Sequence, residues 1–432
     1  MKKFSMVLLI GGVLWAENFT QIKNEITNSL SYKLAQKKVQ IYEKKLKIAN
    51  AKNYGSLDVQ YNAVRLFNEP EMKLTTLQPV AVAPDGVHLV YQEVQASLPM
   101  ADKSHFTGEI RYSYPLFTGF GITNLIKKSE LELIKQRLEL KNVKRELILN
   151  AAKLYSSVYA LKCNVNALNS AKKALNTARE KAEALYKEGL INKSSVDEIN
   201  AKYYEVIADI KNLNSQKESL LNTLSYLLNK KIDSIDGITV EKTVFSPHFD
   251  KRPDVMAIKE TLKISDTDVK LAKSKLYPQV GFVAGLKREA DNFILTKNDY
   301  QNIDKSYFGI GIKYNVFNGG ATKSEIEMAK IAKASAALYY KDYLNKIKTD
   351  YKNDLNSYNA LFFRLKAAKE EVKARESYYE YIKAKFNEGL ADSSDLNDAI
   401  AKLAAAKAKR DAIKAQIFFL GVKLKYDGGE NE

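Results

Sequence analysis

Asp395 and Asp398 stand three residues apart, so on a helix their carboxylates share one face. Such a pair repels anions, attracts cations and tightens when paired with basic neighbours. A helix dipole also favours acidic residues in a first turn, so the charges alone do not separate a constriction from a solvated helix start. No nucleophile–base set, phosphate loop or metal cluster accompanies them, and the sequence predicts a non-enzyme without cofactors. His88, His105 and His248 lack metal-ligand spacing. Cys163, the single cysteine, allows no internal disulfide and reads as a small buried residue.

The elements that carry the pair are duplicated. Residues 186–202 align without a gap on residues 386–402, with six of 17 positions identical, at an offset of 200. At that offset Tyr114, Phe117 and Gly119 fall on Tyr314, Phe317 and Gly319. Ser195 and Glu198 occupy the positions of Asp395 and Asp398. A chain built this way has two similar halves.

Each half alternates short strands with very long helices. Leu140, Leu147, Leu154, Leu161, Leu168, Leu175 and Ala182 recur every seven residues, and so do Leu344, Tyr351, Tyr358, Leu365, Val372, Tyr379 and Phe386. A seven-residue repeat held this long specifies a left-handed coiled coil. Return helices follow, with Val196, Ile199 and Tyr203 matching Leu396, Ala399 and Leu403. Between each long helix and its return lies Glu-Gly-Leu followed by serines. Gly189 and Gly389 suit left-handed helix ends, and Ser194 or Ser393 suits the next N-cap.

Period-two alternation marks the strands: Phe106, Ile110, Tyr112, Tyr114 and Leu116 in one, Phe308, Ile310, Ile312, Tyr314 and Val316 in another. Leu57, Val59 and Tyr61 precede the first, and Val280, Phe282, Ala284 and Leu286 the second. Between the first two strands, residues 64–105 carry Pro70, Pro79, Pro84 and Pro99 and read as a loop. The division expected is a leader at 1–16, a first repeat at 17–240 and a second at 241–432. In the first, a strand hairpin covers about 56–117 and a helical hairpin 120–230; in the second, about 279–317 and 320–427.

Lys2 and Lys3, the apolar run Phe4 to Leu14 and Ala16 read as a secretory leader, which places the mature chain outside the cytoplasm. The formal charge of +17 is spread along helix faces among glutamates, which suits a solvated helical surface and predicts no nucleic-acid partner. No apolar run reaches about 18 residues, so any membrane contact must come through strands. The same alternation fits a soluble antiparallel sheet; if the strands enter a membrane, several chains must pool them, because four cannot close a barrel and open edges do not survive in hydrocarbon. Three chains would give about twelve strands, an even number within the outer-membrane range.

In these features the chain resembles the TolC-like outer-membrane efflux proteins. The carriers are Tyr114-Pro-Leu-Phe-Thr-Gly119, Tyr314-Asn-Val-Phe-Asn-Gly319, Arg252-Pro-Asp-Val255, Ala272-Lys-Ser-Lys-Leu-Tyr-Pro278 and the two Gly-Leu tips, in this order and duplicated. The first half departs slightly, with Gly55 where the second has Pro278.

The resemblance implies an α+β membrane protein of the outer membrane with a large periplasmic part. Its fold would be a trimeric barrel, four strands per chain, continued by a periplasmic coiled-coil barrel. Implied partners are the homotrimer, outer-membrane lipid, a periplasmic adaptor (membrane fusion protein) and an inner-membrane pump, as in tripartite efflux or type I secretion. It makes Asp395 and Asp398 a periplasmic gate, and Gly189, Leu190, Gly389 and Leu390 adaptor-contacting tips, beyond what hairpin geometry alone requires. Pro115, Phe117, Gly119, Phe317 and Gly319 become strand–helix junctions. A non-pore periplasmic adaptor or structural coiled coil is the rival reading; it leaves the second hairpin or the alternating strands unexplained.

Overall fold

A computed structural model describes residues 17–100, 103–296 and 304–430. The expected leader at 1–16 lies outside the described residues. In chain order come α1 (Phe19–Glu25), α2 (Leu30–Ala51), β1 (Ser56–Arg65), β2 (Glu71–Val82), β3 (Leu89–Pro99), β4 (Ser104–Phe117), α3 (Gly121–Lys187) and α4 (Lys193–Leu228). Then follow α5 (Pro253–Lys273), β5 (Gln279–Ala290), β6 (Tyr307–Lys313), α6 (Ala321–Asn387) and α7 (Ser393–Asp427). The long helices α3 and α6 have 67 residues each, at the same offset as the sequence repeat. Two compact units divide the chain, and each draws on both halves.

One unit, Glu43–Glu130 with Ile264–Lys333, holds the strands. Its antiparallel sheet has the order β1-β4-β5-β6. The register sets Val59 beside Ile110 and Ile110 beside Leu286; on the same face Phe282 pairs with Tyr114 and Ile310. Because side chains alternate with period two, this register collects the apolar residues of all four strands on one face. That face is bare: Val59, Leu286, Phe308, Ile310 and Ile312 are all exposed. The opposite face carries Gln60, Glu109 and Lys287 across one row, and Asp58 and Arg111 in the next.

Two expectations need correction here. The segment 64–105 is not a plain loop but holds a second hairpin, β2 with β3. Its prolines hid the alternation, yet each sits where a ladder tolerates proline: Pro79 at a register shift, Pro84 in the turn, Pro99 at the strand end. The last strand also stops earlier than the alternation through Val316 suggested. Its final pair is Lys313 with Gln279, just after Pro278, which has no N–H to continue the ladder.

The other unit comprises the described residues up to Tyr42, Leu131–Lys263, and Ala334 onward. Its heptad stripes are buried at Leu147, Leu175 and Ala182 in α3, and at Tyr351, Tyr358, Leu365, Val372 and Phe386 in α6. α5 begins with Pro253 in the first helical position, where its missing N–H leaves no bond unmade. Beside it lies a buried charge cluster. Asp254 Oδ2 accepts from Arg252 at 2.7 Å, from Arg145 at 3.3 Å and from the Tyr343 hydroxyl at 2.8 Å. Burial alone would raise the Asp254 carboxyl, but the Arg252 and Arg145 guanidiniums outweigh it and hold the group below its ordinary value. Asp427 shares the same guanidiniums yet is raised, because burial dominates there. The Tyr343 hydroxyl is pushed up to about 12, by burial first and by Asp254 second. Arg252-Pro-Asp-Val255, a sequence motif without obvious purpose, is thus the hub that ties α3, α5, α6 and α7.

Candidate functional site

Both helical tips close in the same way. Leu190 N–H donates to the Leu185 carbonyl at 2.9 Å and Gly189 N–H to Tyr186 at 3.0 Å; Leu390 and Gly389 repeat this on Lys385 and Phe386. These paired bonds satisfy the orphan carbonyls of α3 and α6 and require a left-handed residue, which both glycines provide at φ +74. The next residues cannot be buried by so short a turn: Leu190 is 66% and Leu390 69% exposed.

The N-caps are not the expected serines. Asn192 accepts from the Ser195 amide at 3.1 Å and Asp392 from the Asp395 amide at 2.8 Å, so each cap lies one or two residues earlier. Asx side chains cap at least as well as serine. That frees Ser393, which is buried and donates to Glu198 on α4 at 3.0 Å. The residue aligned with Asp398 in the first half therefore holds the second hairpin's tip to the first. No spacing rule on one helix reveals a bond between two.

Asp395 and Asp398 lie together on the exposed face of α7, while Leu396, Ala399 and Ile400 turn inward. Asp398 pairs with Lys402 at 2.5 Å, one turn on. Both carboxylates are free to meet charges outside this chain, since an exposed pair of this kind is worth little.

The two strand–helix junctions, both in the strand-bearing unit, differ. Pro115 precedes a register shift in β4 that ends at Phe117. Gly119 turns at φ +62, and a Cβ there would stand 2.4 Å from the Ser274 carbonyl oxygen and 2.7 Å from Tyr277 Cβ. Phe117 and Phe120 pack edge-on against Tyr277, with ring centroids 6.5 and 5.9 Å away. Gly319 has the same left-handed turn at φ +67, but no atom lies within 4 Å of its would-be Cβ. Phe317 is 84% exposed.

The sequence profile described as outer membrane efflux protein matches residues 86–230 and 249–417. Among curated protein sequences none matches. Solved structures share the fold at low identity. The outer membrane protein VceC of Vibrio cholerae is 18% identical with a TM-score of 0.73, over 95% of this chain and 96% of its own. The CmeC outer membrane channel of Campylobacter jejuni gives 15% and 0.78, over 96% and 86%. The open state of the MtrE outer membrane channel of Neisseria gonorrhoeae gives 16% and 0.74, over 96% and 89%. Among the described residues no helix is long and apolar enough to cross a membrane. The chain belongs to the outer membrane efflux protein family: it is an outer-membrane efflux channel, with a large periplasmic helical part, that shares the fold of these solved channels.

Proposed function

We propose that this chain, as a homotrimer, is the passive exit duct of a tripartite efflux or type I secretion system, coupled to an inner-membrane pump through a periplasmic adaptor. The observation that carries the reading is the four-stranded sheet whose apolar face is bare along most of its length, with β1 and β6 unpaired along their outer edges among the described residues. In water such a sheet would aggregate; in lipid its apolar face is solvated and its edges find partners on neighbouring chains. The halves 17–240 and 241–432 are read as two copies of one unit.

The repeat also supports how neighbours meet. The first junction rests Phe117 and Phe120 on Tyr277, which precedes the strand of the other half. The equivalent of Tyr277 in the first half is Tyr54, 75% exposed, as Phe317 is exposed at the second junction. Phe317 of one chain on Tyr54 of the next would complete the pattern around the ring.

At the periplasmic end, Leu190 and Leu390 are the adaptor contacts and Asp395 and Asp398 the gate. Three copies of each carboxylate would converge at a constriction. Opening is an outward swing of the α6–α7 hairpin, and the Ser393–Glu198 bond resists it. Purified protein reconstituted in planar bilayers tests the reading. Trimers on unheated gels and conductance that rises in Asp395→Ala/Asp398→Ala support it; a monomer in detergent with no conductance in either form refutes it.

A further inference from the structure

α3, α4 and α7 enclose a crevice of about 480 Å³, within the range of small-ligand sites. It exists because α7 presents alanines there, among them Ala401, Ala405 and Ala408, where larger residues would close the helices together. Leu168, Leu175, Val206 and Leu213 give it apolar walls.

Among the described residues, Asn397 Oδ1 and the Asp209 carboxylate on those walls have no partner. Asn397 is 7% exposed, its Oδ1 is buried without a hydrogen bond, and the side chain lines the crevice. A buried amide oxygen in that state is unfavourable until a partner arrives. Asp209 lines the crevice with no ion pair among the described residues, whereas Glu205 is already matched by Lys202 at 2.8 Å. The charged lining is therefore two carboxylates against one ammonium, in a chain of net charge +17. A cation is selected locally against the sign of the whole.

We propose that this crevice is a binding site for an elongated apolar amine in its protonated form. The ammonium donates to the Asp209 carboxylate and the apolar body lies along the leucine walls; where the amine carries a donor at its other end, Asn397 Oδ1 accepts from it, a contact the simplest apolar amines do without. Such a molecule would wedge α7 against α4, beside the tip that holds the gate. The site is separate from Asp395 and Asp398, neither of which lines it.

The test uses the full mature chain in detergent, with 4-phenylbutylamine as probe and empty micelles as reference, read by saturation-transfer NMR. Saturable binding is expected, weakened about threefold to fivefold by Asp209→Asn, the scale of an ion pair at an exposed carboxylate. Ala408→Phe should weaken it as much by filling the space. The anion 4-phenylbutyrate, of the same skeleton, should bind far less. Asp209 is exposed, so its variant tests the site even where Ala408→Phe fails to fold. No saturable binding, equal binding of the anion, or unchanged binding in Asp209→Asn would overturn the proposal. So would loss of binding only in Asp395→Asn/Asp398→Asn, which would put the cation at the acidic tip instead. Conductance of Asp209→Asn, expected at the wild-type level, keeps this result apart from the channel reading.

Discussion

Arg145 Nη1 lies 2.6 Å from Asp427 Oδ1, joining the middle of the first long helix to the last residue of α7. Arg145 also reaches Asp254. Removing it leaves a buried carboxylate, Asp254, and a half-buried one, Asp427, with one guanidinium between them. Breaking a buried pair from one side costs about 3–5 kcal/mol, far more than an exposed one. Arg145→Ala should therefore lower the unfolding midpoint of the helical circular-dichroism signal by several degrees, while Lys402→Ala, whose pair is exposed, should not move it.

Acid should act on this cluster in a set direction. Asp254 is held below its unfolded value, so its contribution is complete above the ordinary carboxylate range and is lost as pH falls through the lowered folded value. Asp427 is raised and has the opposite sign: its ionised form costs stability as pH climbs through its folded value. Asp254→Asn should be less stable than wild type at neutral pH and show a flatter loss below about pH 4. Parallel acid curves for the two proteins would contradict the assignment.

Substitutions of glycine should separate the two junctions. Gly119→Ala meets both a left-handed backbone and a carbonyl oxygen, so folding should suffer by more than the backbone strain alone, which is about 1–2 kcal/mol. Gly319→Ala meets only the strain within its own chain. Urea unfolding should rank Gly119→Ala well below Gly319→Ala.

The elements that position these groups were legible wherever local periodicity and local turn chemistry decide the structure. Heptads specify α3 and α6, and Gly189 and Gly389 specify their ends, because both act within a few residues. The β2–β3 hairpin was not legible: prolines erase the pattern unless the register is known, and Pro79 is tolerated only because the pairing slips there. The Ser393–Glu198 bond and the Arg145 cluster were hidden for another reason. The first joins residues 195 apart and the cluster joins Arg145 to residues 109 and 282 further on, and one sequence carries no sign of such contacts.

Ser393 offers a direct test of the tip lock. Its bond to Glu198 is a hydrogen bond to a charged acceptor, worth about 1.5–3 kcal/mol. Ser393→Ala removes it with little change of volume, and Glu198→Gln weakens it while leaving an acceptor. Open probability in planar bilayers should rise in Ser393→Ala, and less in Glu198→Gln. Closed channels indistinguishable from wild type in both would show that the bond does not restrain the hairpin.

Chain-to-chain closure leads to a covalent test. If Phe317 of one chain rests on Tyr54 of the next, cysteines at these positions stand close across the interface but not within one chain. Tyr54→Cys/Phe317→Cys in a Cys163→Ser background should form an oxidised trimer that survives boiling in detergent and separates on reduction. Either single variant should stay monomeric on the same gel, because each lacks its partner. A cross-linked band that stops at the dimer would indicate an open pair rather than a ring, since a heterologous contact closes only when the last chain meets the first. No cross-link at all, with trimers present on unheated gels, would place the neighbour's contact elsewhere and leave the exposed Phe317 to lipid.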